Sequence, residues 1–268
     1  MKRVSLPLWF TAGLLYVFLY APIVVVIGYS FNTARYGAGW KGFTIRWYRV
    51  LWENPHALAA AKNTLILAGL STLIATVLGT TLGIRLSRYS FPGKKLLSGV
   101  MYVPVTIPDI VMAVAMMLFY SVVRQWTGMF ELGMTTMVLA HVTFQIPFVA
   151  IVVRARLAGL DPSLEEAARD LGANPWRTFW HVTLPLILPG IIAGAMLAFT
   201  LSLDDFVVSF FTTGPGATTL PILIYSSVKR GITPDINALS TLIVLVSVFA
   251  TVCVTCLQRS RANLPNLS

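Results

Sequence analysis

Six long apolar runs, set apart by polar stretches, constrain this chain more than anything else in its sequence: about 9–30, 63–84, 98–123, 134–153, 186–211 and 237–257. Each is near the ~20 residues a helix needs to cross bilayer hydrocarbon. In that solvent every backbone N–H and C=O must be paired within the protein, which a helix does inside its own segment. The expected fold is all-α: a polytopic membrane protein of six transmembrane helices, a single transmembrane domain over 1–268. Only 11% of residues are charged, against roughly 25% in an ordinary soluble domain. The first run follows Met1-Lys2-Arg3 as a signal peptide would. It exceeds the roughly 7–15 residues of a signal h-region and lacks a small-x-small cleavage site, so it is expected to remain as a span.

The formal charge is +10, but the Lys and Arg residues lie scattered between apolar runs. They form no stripe with interleaved aromatics, which argues against nucleic acid as a partner. Placing the N-terminus in the cytoplasm puts twelve of the 20 Lys and Arg residues inside, and the short loop 85–97 carries Arg85, Arg88, Lys94 and Lys95 without an acid. Both termini and loop 154–185 are then cytoplasmic. Cys253 and Cys256 sit within the last apolar run with no second pair and no nearby His, so they read as packing residues, not metal or redox groups. There is no Gly-x4-Gly-Lys-Ser/Thr to cradle a nucleotide. No catalytic residue, cofactor or metal is expected in this chain.

Pro104 and Pro108, one turn apart, predict a kink or an unwound stretch in the third span. Asp109 lies about eleven residues into that span, or ~16 Å at ~1.5 Å per residue, which places it near the midplane. Asp204 and Asp205 fall toward the outer end of the fifth. Acids inside a membrane cost at least ~2.5–3.5 kcal/mol and usually face a cavity or a partner. Two uses fit: lining a path for a cation, or capping broken helices and bonding His141 and Gln145 across the bundle. His141 and Gln145, at i and i+4, read as interhelical hydrogen-bond partners. Trp47 and Tyr48, on the outer loop, suit either cation–π contact with an ammonium group or interfacial anchoring.

The polar loop 154–185 is the most informative stretch. Asp161 is placed to cap a helix with Pro162 at its first position, and Glu165 and Glu166 fall where the helix dipole favours anions. Leu164, Ala167, Ala168 and Leu171 give a narrow apolar face at i, i+3, i+4 and i+7. Gly172 suits a left-handed C-terminal cap, and Asn174-Pro175 starts a second short helix. So short a helix is marginal alone. Either it packs under its own bundle, or its two alanines admit close approach to a partner's groove.

Glu166-Ala167-Ala168, three residues, Gly172, nine residues, then Val182-Thr183-Leu184-Pro185 resembles the EAA signature of ABC-importer permeases. Val182 in place of Ile is the one departure. The resemblance implies a type I importer permease fold in a bacterial inner membrane. It makes the loop a coupling helix seated in an ATP-hydrolysing subunit, with Glu165, Glu166, Ala167, Ala168 and Gly172 as coupling residues and ATP and Mg bound in that partner. Further stretches, among them Tyr20-Ala21-Pro22, Arg46-Trp47-Tyr48, Pro108-Asp109-Ile110-Val111-Met112 and Leu201-Ser202-Leu203-Asp204-Asp205-Phe206, resemble the second permease subunit of spermidine/putrescine importers. That resemblance implies a polyamine cargo, a heterodimer with a similar permease, two ATPase subunits and a periplasmic polyamine-binding protein. Asp109, Asp204, Asp205, Trp47 and Tyr48 are the expected substrate-path residues. An ion-coupled secondary transporter would also use intramembrane acids, but it has no need of an EAA loop. A permease for another small cationic or organic solute is the nearer alternative.

Overall fold

The computed structural model describes residues 6–34, 39–161, 163–231, 233–245 and 248. Among them there is no β-strand, only a bridge between Asn32 and Phe43. The helices are α1 (Leu6–Tyr29), α2 (Arg46–Trp52), α3 (Pro55–Arg88), α4 (Lys94–Thr106), α5 (Asp109–Thr127), α6 (Met134–Ala158), α7 (Ser163–Asp170), α8 (Pro175–Thr178), α9 (Leu184–Asp204), α10 (Val207–Thr212) and α11 (Leu220–Arg230), then α12 (Pro234–Leu245). Among the described residues, five stretches are long and apolar enough to cross a membrane: Trp9–Tyr29, Pro55–Arg88, Asp109–Thr127, Met134–Ala158 and Pro175–Asp204. The last runs unbroken through α8, a π turn at Phe179–Thr183 and α9. The sixth expected span begins in α12. Most of its remainder, with Cys253 and Cys256, lies outside the described residues, as do Lys2, Arg3, Arg35, Pro162, Arg259 and Arg261.

Two expected boundaries are corrected, and the break expected in the third run is located. The stretch 31–62 is not all loop, because it holds α2 and the start of α3. The third run is two helices, α4 and α5. Pro108 pushes the preceding residue out of the helical region, and Ile107 is extended at φ −81, ψ 139. The fifth run also breaks, at Asp205 (φ −64, ψ 121), before resuming as α10.

The chain forms two compact units, Ala59–Leu223 and, discontinuous in sequence, Met1–Leu58 with Ile224–Ser268. In the second, α1 carries no Asp, Glu, Lys or Arg. Trp9, Phe10, Leu14, Val17 and Phe18 are each more than half exposed, the pattern of a helix whose solvent is lipid or another apolar surface.

The first unit is organised around α6, whose Met137, Ala140, Val149, Ala150 and Val153 are fully buried. Two of its clusters fix the depth of the break between α4 and α5. Met101 of α4 packs with Ala150 of α6, and Ala113 and Met116 of α5 pack with Ala140. Residues 107–108 therefore lie opposite the middle of α6. Small residues allow close helix approach where apolar burial gives no drive. A Cβ on Gly79 would sit 2.7 Å from Val149 Cβ and 2.9 Å from the Ile146 carbonyl, whereas one on Gly69 would meet nothing. Gly79→Ala is expected to destabilise the purified protein by about 1–3 kcal/mol, read as a lower thermal midpoint. Gly69→Ala should leave the midpoint in place.

Candidate functional site

The loop folds as its capping residues dictate. Asp161 Oδ1 accepts from the Ser163 N–H at 2.9 Å, and hydrogen bonds from Ser163 hold the Asp161 carboxyl below its ordinary value. A carboxyl lowered by folding contributes stability above its unfolded pKa and loses it as pH falls through the folded one, so this cap is intact at neutral pH. At the other end Gly172 takes φ +83. Gly172 N–H donates to Arg169 O at 2.9 Å and Ala173 N–H to Ala168 O at 3.0 Å, the paired bonds of a Schellman ending. Asn174 caps the next helix through the Arg177 N–H at 2.8 Å.

α7 has no buried residue. Leu164 is 46% and Leu171 89% exposed, so the apolar face is turned away from its own bundle. Glu166 and Ala167 are exposed beside it. Glu165, by contrast, turns inward. Its Oε1 pairs with Arg88 Nη2 at 3.0 Å and accepts from Thr183 Oγ1 at 3.0 Å. One carboxylate thus ties α7 to the end of α3 and to the π turn leading into α9. Arg88 and Thr183 carry no sequence signal of this role, since the three residues meet only in the fold.

The acids divide in the same way. Asp205 belongs to the structural option left open by the sequence. Its oxygens accept from Val208 N–H at 3.3 Å and Ser209 N–H at 2.7 Å, and Oδ2 lies 3.3 Å from His141 Nε2. Its side chain is 11% exposed. It closes the gap between α9 and α10. His141, fully buried, also meets Ser202 Oγ at 2.7 Å and Ser209 Oγ at 3.0 Å. Gln145 donates to Ser71 Oγ at 3.2 Å and Ala198 O at 3.1 Å, so both act as interhelical partners, as expected. Ser71, Ser202 and Ser209 went unremarked in the sequence, where a hydroxyl in an apolar span was the available signal.

Asp109 and Asp204 are exposed. Asp109 lies at the break expected in the third span: it opens α5, where the helix dipole favours an anion. Asp204 ends α9. The unit thus carries two interrupted helices, each with an exposed carboxylate at the break. Trp47 and Tyr48 belong to the other unit and are held in place. Trp47 Nε1–H donates to Asn32 O at 2.7 Å. Tyr48 Oη lies 2.7 Å from Ser30 Oγ, with its ring against Phe31 at 5.3 Å. Both brace the segment after α1, and Tyr48 shares a cavity wall with Arg46 and Arg49, poor company for a cation.

A sequence model of the family described as the binding-protein-dependent transport system inner membrane component matches residues 75–260, a stretch that includes α7 and both interrupted helices. The chain belongs to this family. Among its relatives, the spermidine/putrescine transport system permease protein PotC of Escherichia coli is 40% identical, over 93% of this chain and 92% of that protein. The putrescine transport system permease protein PotI of the same species is 43% identical, over 85% and 82%. In fold, the chain resembles one from a bacterial ABC transporter that imports the acidic polysaccharide alginate, at TM-score 0.75 and 22% identity over 96% of this chain and 94% of that one. It also resembles the MetNI methionine ABC transporter, at TM-score 0.62 and 22% identity over 82% and 99%. The fold class is therefore the all-α, polytopic permease fold of ABC importers, and family membership makes this a multi-pass inner-membrane component. Transporters of an acidic polysaccharide and of methionine share the fold, so the backbone alone does not select the cargo.

Proposed function

We propose that this chain is a permease subunit of an ABC importer that carries polyamines, putrescine or spermidine, from periplasm to cytoplasm. The observation that carries the proposal is the 40–43% identity to PotC and PotI over most of the chain. The exposed carboxylates at the two breaks support a cationic cargo, since they can offset the hydration a polyamine loses on entering the path. In this reading a homologous second permease completes the pathway, two ATPase subunits bind ATP and Mg, and a periplasmic polyamine-binding protein delivers the cargo. α7 seats in an ATPase subunit through Leu164, Ala167, Ala168 and Leu171, with Glu166 at its edge. Glu165 holds α7 rigidly to α3 and α9, so that displacement of the docked helix reaches the break at Asp205.

The test is uptake of labelled putrescine and spermidine in cells lacking other polyamine importers and expressing this chain with its system partners. ATP-dependent uptake competed by polyamines is expected. Uptake that persists without ATP but collapses with the proton gradient would point to an ion-coupled carrier instead. Orientation is tested separately. A single cysteine introduced by Asn174→Cys should resist an impermeant maleimide in intact cells and react in inverted vesicles, and rapid labelling from outside would reverse the topology.

A further inference from the structure

A cavity of about 460 Å³ opens between α3, α4 and α6, at the end of the first unit where Arg88 meets α7. Leu86 and Ser87 line it from α3, Lys94 and Tyr102 from α4, and Ile151 and Arg154 from α6; no carboxylate is among the described lining residues. Arg154 therefore brings to the wall a positive charge that no lining carboxylate offsets, and an anion in the cavity would balance it. Lys94 Nζ gives one hydrogen bond, to Tyr89 O at 2.9 Å, and an ammonium has three to give. Lys94 and Lys95 also begin α4, whose first turn holds no acid. Positive side chains there oppose the helix dipole unless an anion sits between them. The apolar wall formed by Leu86, Ile151, Ala155 and Ala158 would be wasted on a freely soluble ion but suits the glycerol and upper acyl chain of a lipid.

We infer that this cavity binds the phosphodiester of an anionic phospholipid headgroup, held by Arg154 and Lys94 with Ser87 and Tyr102 as neutral donors. Basic pockets between transmembrane helices on the cytoplasmic face commonly take acidic headgroups. The leaflet named here rests on the proposed orientation, but binding itself does not.

The assembled importer, delipidated in neutral detergent, is titrated with short-chain phosphatidylglycerol, short-chain phosphatidylcholine or inorganic phosphate, with bound ligand read by native mass spectrometry. Saturable binding of phosphatidylglycerol, tighter than that of phosphatidylcholine, is expected. At the strength usual for a basic residue near an anionic headgroup, Arg154→Gln or Lys94→Gln should each weaken it roughly fivefold and the double variant roughly thirtyfold. Arg154→Lys should recover part of the loss. Arg124→Gln, where the natural Arg pairs with Glu131, should change nothing. Should Arg154→Gln fail to assemble, Lys94→Gln decides alone. Equal affinity for both lipids, unchanged binding in the double variant, or inorganic phosphate matching phosphatidylglycerol overturns the inference. The detergent assay is blind to leaflet and cargo, so an error in the proposed orientation or function would not register as failure here.

Discussion

In a Gly172→Pro variant, ATP-driven uptake is expected to fall to background while the subunits still assemble and hydrolyse ATP at their basal rate. Gly172 sits at φ +83, and proline is confined near φ −65. Proline also has no N–H for the bond to Arg169 O that ends α7. The turn must rebuild, and α7, with no buried residue of its own, keeps only the Glu165 link to Arg88 and Thr183, which holds one end of the helix but not the direction in which its outer face points. Glu166→Lys acts differently: it leaves the helix intact and reverses the charge beside the docking face, so it should weaken ATPase stimulation by loaded binding protein. Glu165→Gln separates docking from transmission. It keeps the side chain's shape, leaves the outer face untouched and removes the charge that pairs with Arg88. Reduced uptake per ATP hydrolysed, partly restored by the exchange Arg88→Glu with Glu165→Arg, is the expected signature. Full stimulation and uptake in both Gly172→Pro and Glu166→Lys would remove α7 from the coupling role.

The second large effect concerns the acids, which should behave in opposite ways. Asp109→Asn and Asp204→Asn alter exposed groups, so complex yield and basal ATPase should persist. A unit charge pair ~4 Å apart is worth about 4 kcal/mol at an effective dielectric near 20, and partial screening in an open path leaves enough for a roughly tenfold loss of polyamine uptake. Asp205→Ala should instead reduce the amount of folded complex. It strips the acceptors from Val208 and Ser209, and loss of such a cap costs about 0.5–2 kcal/mol. It also leaves buried His141 without its carboxylate. Asp205→Asn keeps one acceptor and should fold better. Wild-type uptake in both Asp109→Asn and Asp204→Asn would assign cargo choice wholly to the binding protein.

The sequence by itself determined the class, most of the spans and the coupling loop, because those depend on local chemistry. Apolar length sets what can cross hydrocarbon, and Asp161, Gly172 and Asn174 each act on backbone within a few residues. Pro108 announced a disturbance for the same reason, since its ring constrains its immediate neighbour. Tertiary structure alone decided which of several similar acids is free. Glu165 and Glu166 are adjacent on one short helix, and Asp204 and Asp205 are adjacent at one break. What separates them is Arg88 and Thr183 in the first case and His141 in the second. Those partners lie far along the chain and come into reach only when α3, α6 and α9 pack. A charge whose environment is built from distant segments has no local signature, which is why the sequence could name these carboxylates but not sort them.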